Sequence, residues 1–246
     1  METNQAAIFD EMVQFRRAVR IFDQEEPFDQ AIVRQGLEQA VLSPNSSNMQ
    51  LWEFVHIQDP TALQQMGPLC FHQQAAQTAR AIVAIVVRRD LWPARQATVV
   101  AQQTAVFKAA SGGELTHKQQ QLLKYWTTYI PLLQRSGLGI WDAIKWLGTQ
   151  INGLWRPTPR SVTSRAMRLS AHRSAALAAQ TFMWSMASQG YDTCPMEGFD
   201  EKRVKSFLQL PTSAELSMLI AVGKRTEKGV YGPRLRVPFE EVYRVL

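Results

Sequence analysis

A run of seven apolar residues, Ala81–Val87, constrains the fold of this chain more than any other feature. The run reads AIVAIVV and is bounded by the charged residues Arg80 and Arg88. A continuous apolar run of this length suits a strand that is buried on both faces of a sheet. We therefore expect Ala81–Val87 to form a central strand.

Further strands and helices are predicted on either side of this run. Leu51–Ile57 and Leu216–Val222 are short and apolar, which predicts strands. Helical spacing runs through Ile8–Phe15, through a segment that Pro27 opens and through Ser174–Gln189. This alternation indicates an α+β fold or a three-layer α/β sheet, in one domain over residues 1–246.

Charge and composition narrow the class of protein. With 27 basic and 21 acidic residues the net charge is +6, which favours anionic partners. The basic residues are scattered and no nucleic-acid motif occurs, so we expect no nucleic-acid partner. The two cysteines cannot form a disulfide framework, which favours a reducing compartment.

Two sequence features bear on where the protein resides in the cell. The first residues, METNQ, carry an acid where a secretory signal carries basic residues. No run reaches the roughly 18 apolar residues that a membrane-spanning helix needs. We expect a cytoplasmic protein.

Motifs for side-chain chemistry are missing from the sequence. It has no Gly-x-Gly-x-x-Gly after a strand, no Walker pattern and no Gly-x-Ser-x-Gly. Its histidines and cysteines lack the spacing of zinc ligands, so we expect no metal. The absence of any catalytic constellation points toward a bound organic cofactor.

Two arginine clusters lie at opposite ends of the chain. Arg16, Arg17 and Arg20 follow the first predicted helix, and Arg234 and Arg236 lie near the C-terminus. Guanidinium groups match phosphate oxygens in pairs of hydrogen bonds, which makes such clusters candidate phosphate sites. A solvated basic face is the alternative for either cluster alone.

Two loops could complete a site. Pro44–Gln50 is a polar loop that leads into the predicted strand, and its Asn and Ser side chains can bond a heterocycle. In Tyr191–Asp200, Pro195 and Gly198 are expected to form an irregular turn whose backbone amides face a ligand. The alternative for this second loop is an ordinary helix-capping segment.

Together these segments resemble the nitroreductase family of flavin-dependent oxidoreductases. The matching pieces, in the family's order, are RRAVRIFD, SPNSSNMQLWEF, CPMEGFD and the pair AVGKR with YGPRLRVP. The resemblance implies an α+β sandwich with a central, mostly antiparallel sheet flanked by helices. It also implies an intertwined homodimer with FMN in two clefts at the interface.

The resemblance implies an activity as well. The enzyme would take hydride from NAD(P)H and reduce a nitroaromatic, a quinone or a similar flat small-molecule acceptor by a ping-pong mechanism. The flavin would carry the chemistry, so no catalytic side chain is expected. Two alternatives remain: a specialised flavin step, such as reductive dehalogenation or flavin fragmentation, and a non-enzymatic flavin-binding protein at a membrane surface.

The family's cofactor contacts can be carried over to the arginine clusters. Arg16, Arg234 and Arg236 would hold the FMN phosphate, and Arg17 would flank the ribityl-phosphate. Arg20 would lie near the flavin pyrimidine ring, where a positive charge favours the reduced flavin.

The two loops would contact the flavin ring. Pro44, Asn45 and Ser46 would contact it from the partner subunit, with Asn48 and Gln50 at its polar edge. Four residues would pack over one ring face, with the Glu197 backbone amide toward flavin N5: Pro195, Met196, Glu197 and Gly198.

The sequence departs from the family pattern at three places. Ala18 stands where the family usually has Ser, and Leu51 stands where it has Pro. A polar residue before the second strand has three candidates, Gln73, Gln74 and Gln77.

A helical, Trp-rich insertion is predicted at about 108–165. Four tryptophans fall in it, and one side of Ile140–Arg156 is apolar: Ile140, Ile144, Leu147, Ile151 and Leu154. Three roles are considered in order of preference: a helix packed on the domain or partner, a lid over the flavin cleft, and contact with a membrane surface. We expect the Trp141–Trp155 helix to shape the cleft and do not favour membrane contact.

Overall fold

The sheet found in the computed structural model has four strands, all antiparallel, in the order β1-β2-β4-β3. The structure describes residues 4–135 and 139–246; the start of METNQ, residues 1–3, and residues 136–138 of the insertion lie outside the described residues. The strands are β1 Trp52–Ile57, β2 Ala81–Val87, β3 Asp192–Met196 and β4 Glu215–Gly223. Every residue of β2 is buried, so the predicted central strand is confirmed.

Helices surround this sheet, which gives the expected α+β fold. Their bounds are α1 Gln5–Phe15, α2 Gln30–Ala40, α3 Pro60–Leu69, α4 Gln74–Thr78, α5 Trp92–Ala110, α6 His117–Lys124, α7 Ile130–Gln134, α8 Ile140–Asn152, α9 Ser164–Ser188, α10 Glu201–Phe207 and α11 Phe239–Val242. A π-helical turn, Tyr125–Tyr129, joins α6 to α7. In the described ranges no helix is both long and apolar enough to cross a membrane.

The two faces of β2 belong to two separate hydrophobic cores. Val83 and Ile85 pack with α2 and α9, and Ile82 and Ala84 pack with α3, α4 and α10. Alternate residues of a strand point to opposite faces, so a strand buried on both sides must be apolar throughout. This accounts for the uninterrupted AIVAIVV run.

Several predicted boundaries shift because side chains cap the helices. Helix α2 begins at Gln30 and not at Pro27, since the Asp29 carboxylate accepts a hydrogen bond from Ala31 N at 2.9 Å. Helix α9 begins ten residues before Ser174, at Ser164, with the Thr163 hydroxyl capping Ala166 N at 3.3 Å.

The expected irregular turn at Pro195 is wrong, because Asp192–Met196 forms strand β3 against β4. β3 is an edge strand of the sheet. An edge strand tolerates proline, since one row of its backbone donors has no partner strand. The turn begins after Met196.

The amphipathic helix of the insertion packs in the opposite sense to the expected one. The buried Lys145 ammonium of α8 donates to Leu133 O and Arg135 O, each at 3.2 Å, and lies 3.0 Å from Asp142 Oδ1. Asp142 in turn accepts from Ser164 N at 2.8 Å. The apolar side of α8, with Ile140, Ile144, Leu147 and Ile151, is therefore exposed, and so is Leu154 after the helix.

We predict that Gly223→Ala destabilises the protein by about 1–3 kcal/mol, because overpacking forces side chains off their rotamers. A Cβ at Gly223 would lie 2.8 Å from Phe22 Cδ1 and 2.9 Å from Phe22 Cβ, in the second core. The shift in the denaturant midpoint of unfolding measures the effect.

The matched control is Gly148→Ala in α8, where a new Cβ meets no described atom within 4 Å. This substitution should raise stability by roughly 0.5–1 kcal/mol, since alanine favours the helix. Equal midpoints for Gly223→Ala and the natural protein would contradict the packing of Phe22 on β4.

Candidate functional site

Five arginines from opposite ends of the chain line one cavity of about 260 Å³. They are Arg16, Arg17, Arg20, Arg234 and Arg236. None of the ion pairs among the described residues involves any of them. The predicted convergence of the two clusters therefore occurs within a single chain.

The charges in this arginine cluster oppose each other. Burial lowers the pKa of the Arg16 guanidinium, and the neighbouring Arg234, Arg236 and Arg17 lower it further. A bound anion would reverse this electrostatic penalty, because it lies close to several cations at once. The cavity is suited to a phosphate or a comparable anion.

Backbone carbonyls hold the C-terminal segment against α1. The Arg234 guanidinium donates to Val13 O at 3.0 Å, Gln14 O at 3.1 Å and Arg16 O at 2.8 Å. These are carbonyls at the end of a helix, which lack helical partners. Arg234 thus has a structural task, whereas Arg236 bonds only the adjacent Leu235 O within the described residues.

A buried carboxylate positions α1 on the sheet. Asp192, at the start of β3, accepts from Arg225 N at 2.8 Å and Arg225 Nε at 2.9 Å. Arg225 Nη2 also donates to Phe15 O at 2.8 Å, next to Arg16. Sequence reasoning missed this pair, although Arg225 lies within the AVGKR segment; the only signal was an acid and a base at adjoining strand ends.

The Arg16–Arg20 segment runs beside β3. Ala18 forms a bridge with Thr193, and Val19 N donates to Thr193 O at 3.2 Å. Arg20 Nη1 lies 3.5 Å from Cys194 Sγ. Burial raises the pKa of the Cys194 thiol, and the nearby Arg20 charge partly offsets the rise.

The four predicted ring contacts at the end of β3 divide into two groups. Pro195 and Met196 belong to β3, and the Met196 side chain is buried in the second core, so it is unavailable to a ligand. Glu197 and Gly198 are exposed. Of the three candidate glutamines, Gln73 donates from Nε2 to Gly198 O at 2.5 Å.

The Pro44–Gln50 loop holds an unusual backbone conformation. Ser47, Asn48 and Gln50 have φ values of 56°, 54° and 49°, in the left-handed region that non-glycine residues seldom adopt. Asn45 Oδ1 accepts from Gln50 N at 2.8 Å, and Gln50 Nε2 donates to Asn48 Oδ1 at 3.2 Å. Their side chains therefore stabilise the loop itself, a use that the sequence did not predict.

A second cavity, of about 120 Å³, lies beside this loop. Asn45, Ser46 and Gln50 line it, while Pro44 and Asn48 do not. The opposite wall combines polar residues of α9 with apolar and aromatic residues of the insertion: Ser170, Ser174, Tyr125, Ile130 and Leu133. Within the described part of the chain, no residue lines both this loop cavity and the arginine cavity.

The insertion reaches the loop through its π-helical turn. Tyr125 Oη lies 2.6 Å from Ser47 Oγ, and Trp126 Nε1 donates to Ser47 O at 3.0 Å. π-helical turns often occur at functional sites. The insertion residues that line this cavity come from 125–134 and not from α8, so a role of the Trp141–Trp155 helix in shaping the cleft stays a prediction.

The chain is similar in sequence to members of one protein family. The model of the Nitroreductase family matches residues 13–224. The chain is 26% identical to the protein DrgA of Synechocystis sp. over 219 residues, covering 89% of this chain and 84% of DrgA. It is 26% identical to the NADH dehydrogenase of Thermus thermophilus over 227 residues, covering 92% and 90%.

A solved structure shares the fold. A chain from Exiguobacterium sibiricum, named a nitroreductase and crystallised in complex with FMN, superposes with a TM-score of 0.68 at 20% identity. The match covers 97% of each chain. Because the family model spans most of the sequence and the fold agrees, this chain belongs to the nitroreductase family.

Proposed function

We propose that the protein is an FMN-dependent oxidoreductase that takes hydride from NAD(P)H and reduces a nitroaromatic, a quinone or a similar flat acceptor. The observation that carries the proposal is the arginine cluster, in which five like charges converge without an acidic partner among the described residues. The FMN bound to the Exiguobacterium structure and the name of the Thermus relative support it.

The arginine cluster fits the phosphate of FMN. Arg236 and Arg16 have guanidinium groups that can form paired hydrogen bonds with a dianion. Arg17 is fixed by donating to Gly232 O at 2.8 Å, and Arg234 is fixed on α1. When bound, FMN would supply the hydride chemistry.

The ring of the cofactor would meet β3 and the strained loop. Arg20 lies next to Cys194 of β3, the strand that leads to the exposed residues Glu197 and Gly198. A fixed cation there would favour a negatively charged reduced ring. No side chain is required to act as an acid or a base.

We propose that each flavin site is shared between two subunits of a homodimer. In one chain, the loop cavity and the arginine cavity have separate linings. The C-terminal segment also exposes apolar side chains that a second copy would cover: Leu235, Val237, Phe239 and Val242. A site shared between two subunits would account for the two separate cavities in a single chain.

The acceptor would enter beside the insertion. Tyr125, Ile130 and Leu133 give the loop cavity an apolar wall, which suits a flat aromatic molecule. Since Tyr125 bonds Ser47, the wall and the loop form one unit.

Arg236→Ala should weaken FMN binding by about tenfold or more, because a charged hydrogen bond contributes about 1.5–3 kcal/mol. Calorimetric titration of the cofactor-free protein with FMN gives the dissociation constants. Arg236 suits this test better than Arg234, since Arg234 also anchors the chain to α1.

Arg34→Ala is the matched control, because this exposed arginine of α2 pairs with Glu38 and lies outside both cavities. It should bind FMN like the natural protein. Equal affinities for Arg236→Ala and Arg34→Ala would contradict the phosphate assignment.

Subunit complementation tests the shared site. Arg236→Ala damages the arginine half and Asn45→Ala damages the loop half, so each homodimer should bind FMN weakly. After the two variants are unfolded and refolded together, each mixed dimer should contain one intact site. Tight FMN binding should therefore reappear in the mixture, as measured by flavin retained after gel filtration.

A mixture that retains no more flavin than the separate variants would contradict the shared site. A flavin-loaded monomer in sedimentation velocity at micromolar concentration would contradict it as well.

Tyr125→Phe should raise the acceptor KM by about three- to tenfold, because it removes one hydrogen bond to Ser47. FMN affinity should fall by less than it does in Arg236→Ala, since Tyr125 lies outside the arginine cavity and supports the loop through Ser47. Steady-state quinone reduction at saturating NADH measures the first quantity.

Tyr129→Phe is the control, because Tyr129 lies in the same π-helical turn but does not line the loop cavity. Unchanged acceptor kinetics in Tyr125→Phe would count against the acceptor site beside the insertion.

A further inference from the structure

The outward side of α8 is an apolar stripe on the surface of the protein. We name it the α8 outer face, and it consists of Ile140, Ile144, Leu147 and Ile151 of α8 together with Leu154 and Trp155 in the turn that follows the helix. Leu154 is 75% exposed and Trp155 is 76% exposed. A continuous stripe of large exposed apolar side chains is typical of a surface that binds another protein or a membrane.

Polar contacts fix the orientation of α8. The buried Lys145–Asp142 pair faces the protein, with Lys145 bonded to Leu133 O and Asp142 bonded to Ser164. Rotating α8 to bury the outer face would expose this pair and break at least three hydrogen bonds. The sequence thus keeps the apolar stripe outward.

The net positive charge of the chain resides in the same insertion. Residues 108–165 contain eight basic and two acidic residues, a net charge of +6. The remainder of the chain contains nineteen of each sign and is neutral overall. Lys145 and Asp142 neutralise each other. The other charged residues of the insertion are seven basic residues and one acid, Glu114.

Cations flank the outer face at both of its ends. At the C-terminal end, Arg156 Nε donates to Asn152 Oδ1 at 2.8 Å and Arg160 Nη2 donates to Gly153 O at 3.1 Å. Both arginines are exposed and follow Leu154 and Trp155 in the chain. At the other end, Arg135 lies 5.7 Å from the centre of the Trp141 ring.

We propose that the α8 outer face binds the surface of an anionic lipid bilayer. An amphipathic helix that lies in the interface buries its apolar side at the acyl boundary while basic residues meet the headgroups. Tryptophan is enriched at this depth, where its ring is half apolar and half polar. This role is separate from the proposed flavin chemistry and needs none of the flavin-site residues.

Charge decides between a bilayer and other partners. Contact between the outer faces of two copies across a two-fold axis would bring the same basic ends together, which is unfavourable. Nucleic acid would satisfy the arginines but would leave Ile144, Leu147 and Ile151 without an apolar partner. An anionic bilayer offers an apolar layer to the side chains of the outer face and negative headgroups to the arginines.

Sedimentation of the full-length protein with vesicles tests the proposal. The protein should bind vesicles of phosphatidylcholine mixed with phosphatidylglycerol and bind pure phosphatidylcholine vesicles much less. High salt should weaken the binding, because it screens exposed charges.

Two substitutions separate the apolar and the charged contributions. Trp155→Ala should lower vesicle binding by about tenfold or more, from the loss of a large buried ring. Arg156→Gln should lower it by about fivefold, the effect of one basic residue near the headgroups. Phe71→Ala and Arg34→Gln are matched controls, since both replace exposed residues outside the insertion, and they should bind like the natural protein.

Three results would overturn the proposal. The first is equal binding to both kinds of vesicle, or binding to neither. The second is a fall in oligomer mass on Trp155→Ala with vesicle binding intact, which would assign the face to a second copy. The third is tight binding to duplex DNA that Arg156→Gln reduces and Trp155→Ala leaves unchanged.

Discussion

The pairing of Asp192 with Arg225 is the interaction on which the candidate site depends. It joins the start of β3 to the second residue after β4, and through Phe15 O it also fixes the end of α1. Removing one member of a buried ion pair typically costs about 3–5 kcal/mol, because the other charge stays unpaired. Without this pair, Arg16 would lose its fixed position beside Arg234 and Arg236, and the phosphate-sized cavity would lose its shape.

A second constraint governs the loop half of the proposed site. Three non-glycine residues of the loop have left-handed backbones, a conformation that persists only when the surroundings enforce it. Asn45 and Gln50 supply part of that support from within, and Tyr125 and Trp126 supply the rest through Ser47. The insertion thus stabilises the loop half of the proposed site through its contacts with Ser47.

The fold was predictable where the pattern of side chains decides the structure. The apolar run Ala81–Val87 favoured a strand buried on both faces, and β2 is that strand. Strand β3 was not predictable, because it contains a proline and begins with a buried acid that needs a distant arginine. Periodicity also identified the two sides of α8 but not the side that faces the protein, which depends on the contact of Lys145 with Leu133. The arginine clusters were visible in the sequence, but their convergence rested on the family resemblance.

The crowding of like charges around Arg16 also bears on the lifetime of the chain in the cell. Repulsion among the arginines acts against the contact between the C-terminal segment and α1 until an anion binds between them. A ligand that binds only the folded form lowers the population of opened forms in proportion to its concentration. The C-terminal segment of a cofactor-free molecule would open more often, and chain ends that open are preferred sites of proteolysis. The abundance of the protein would then follow the supply of its cofactor, without any dedicated regulator.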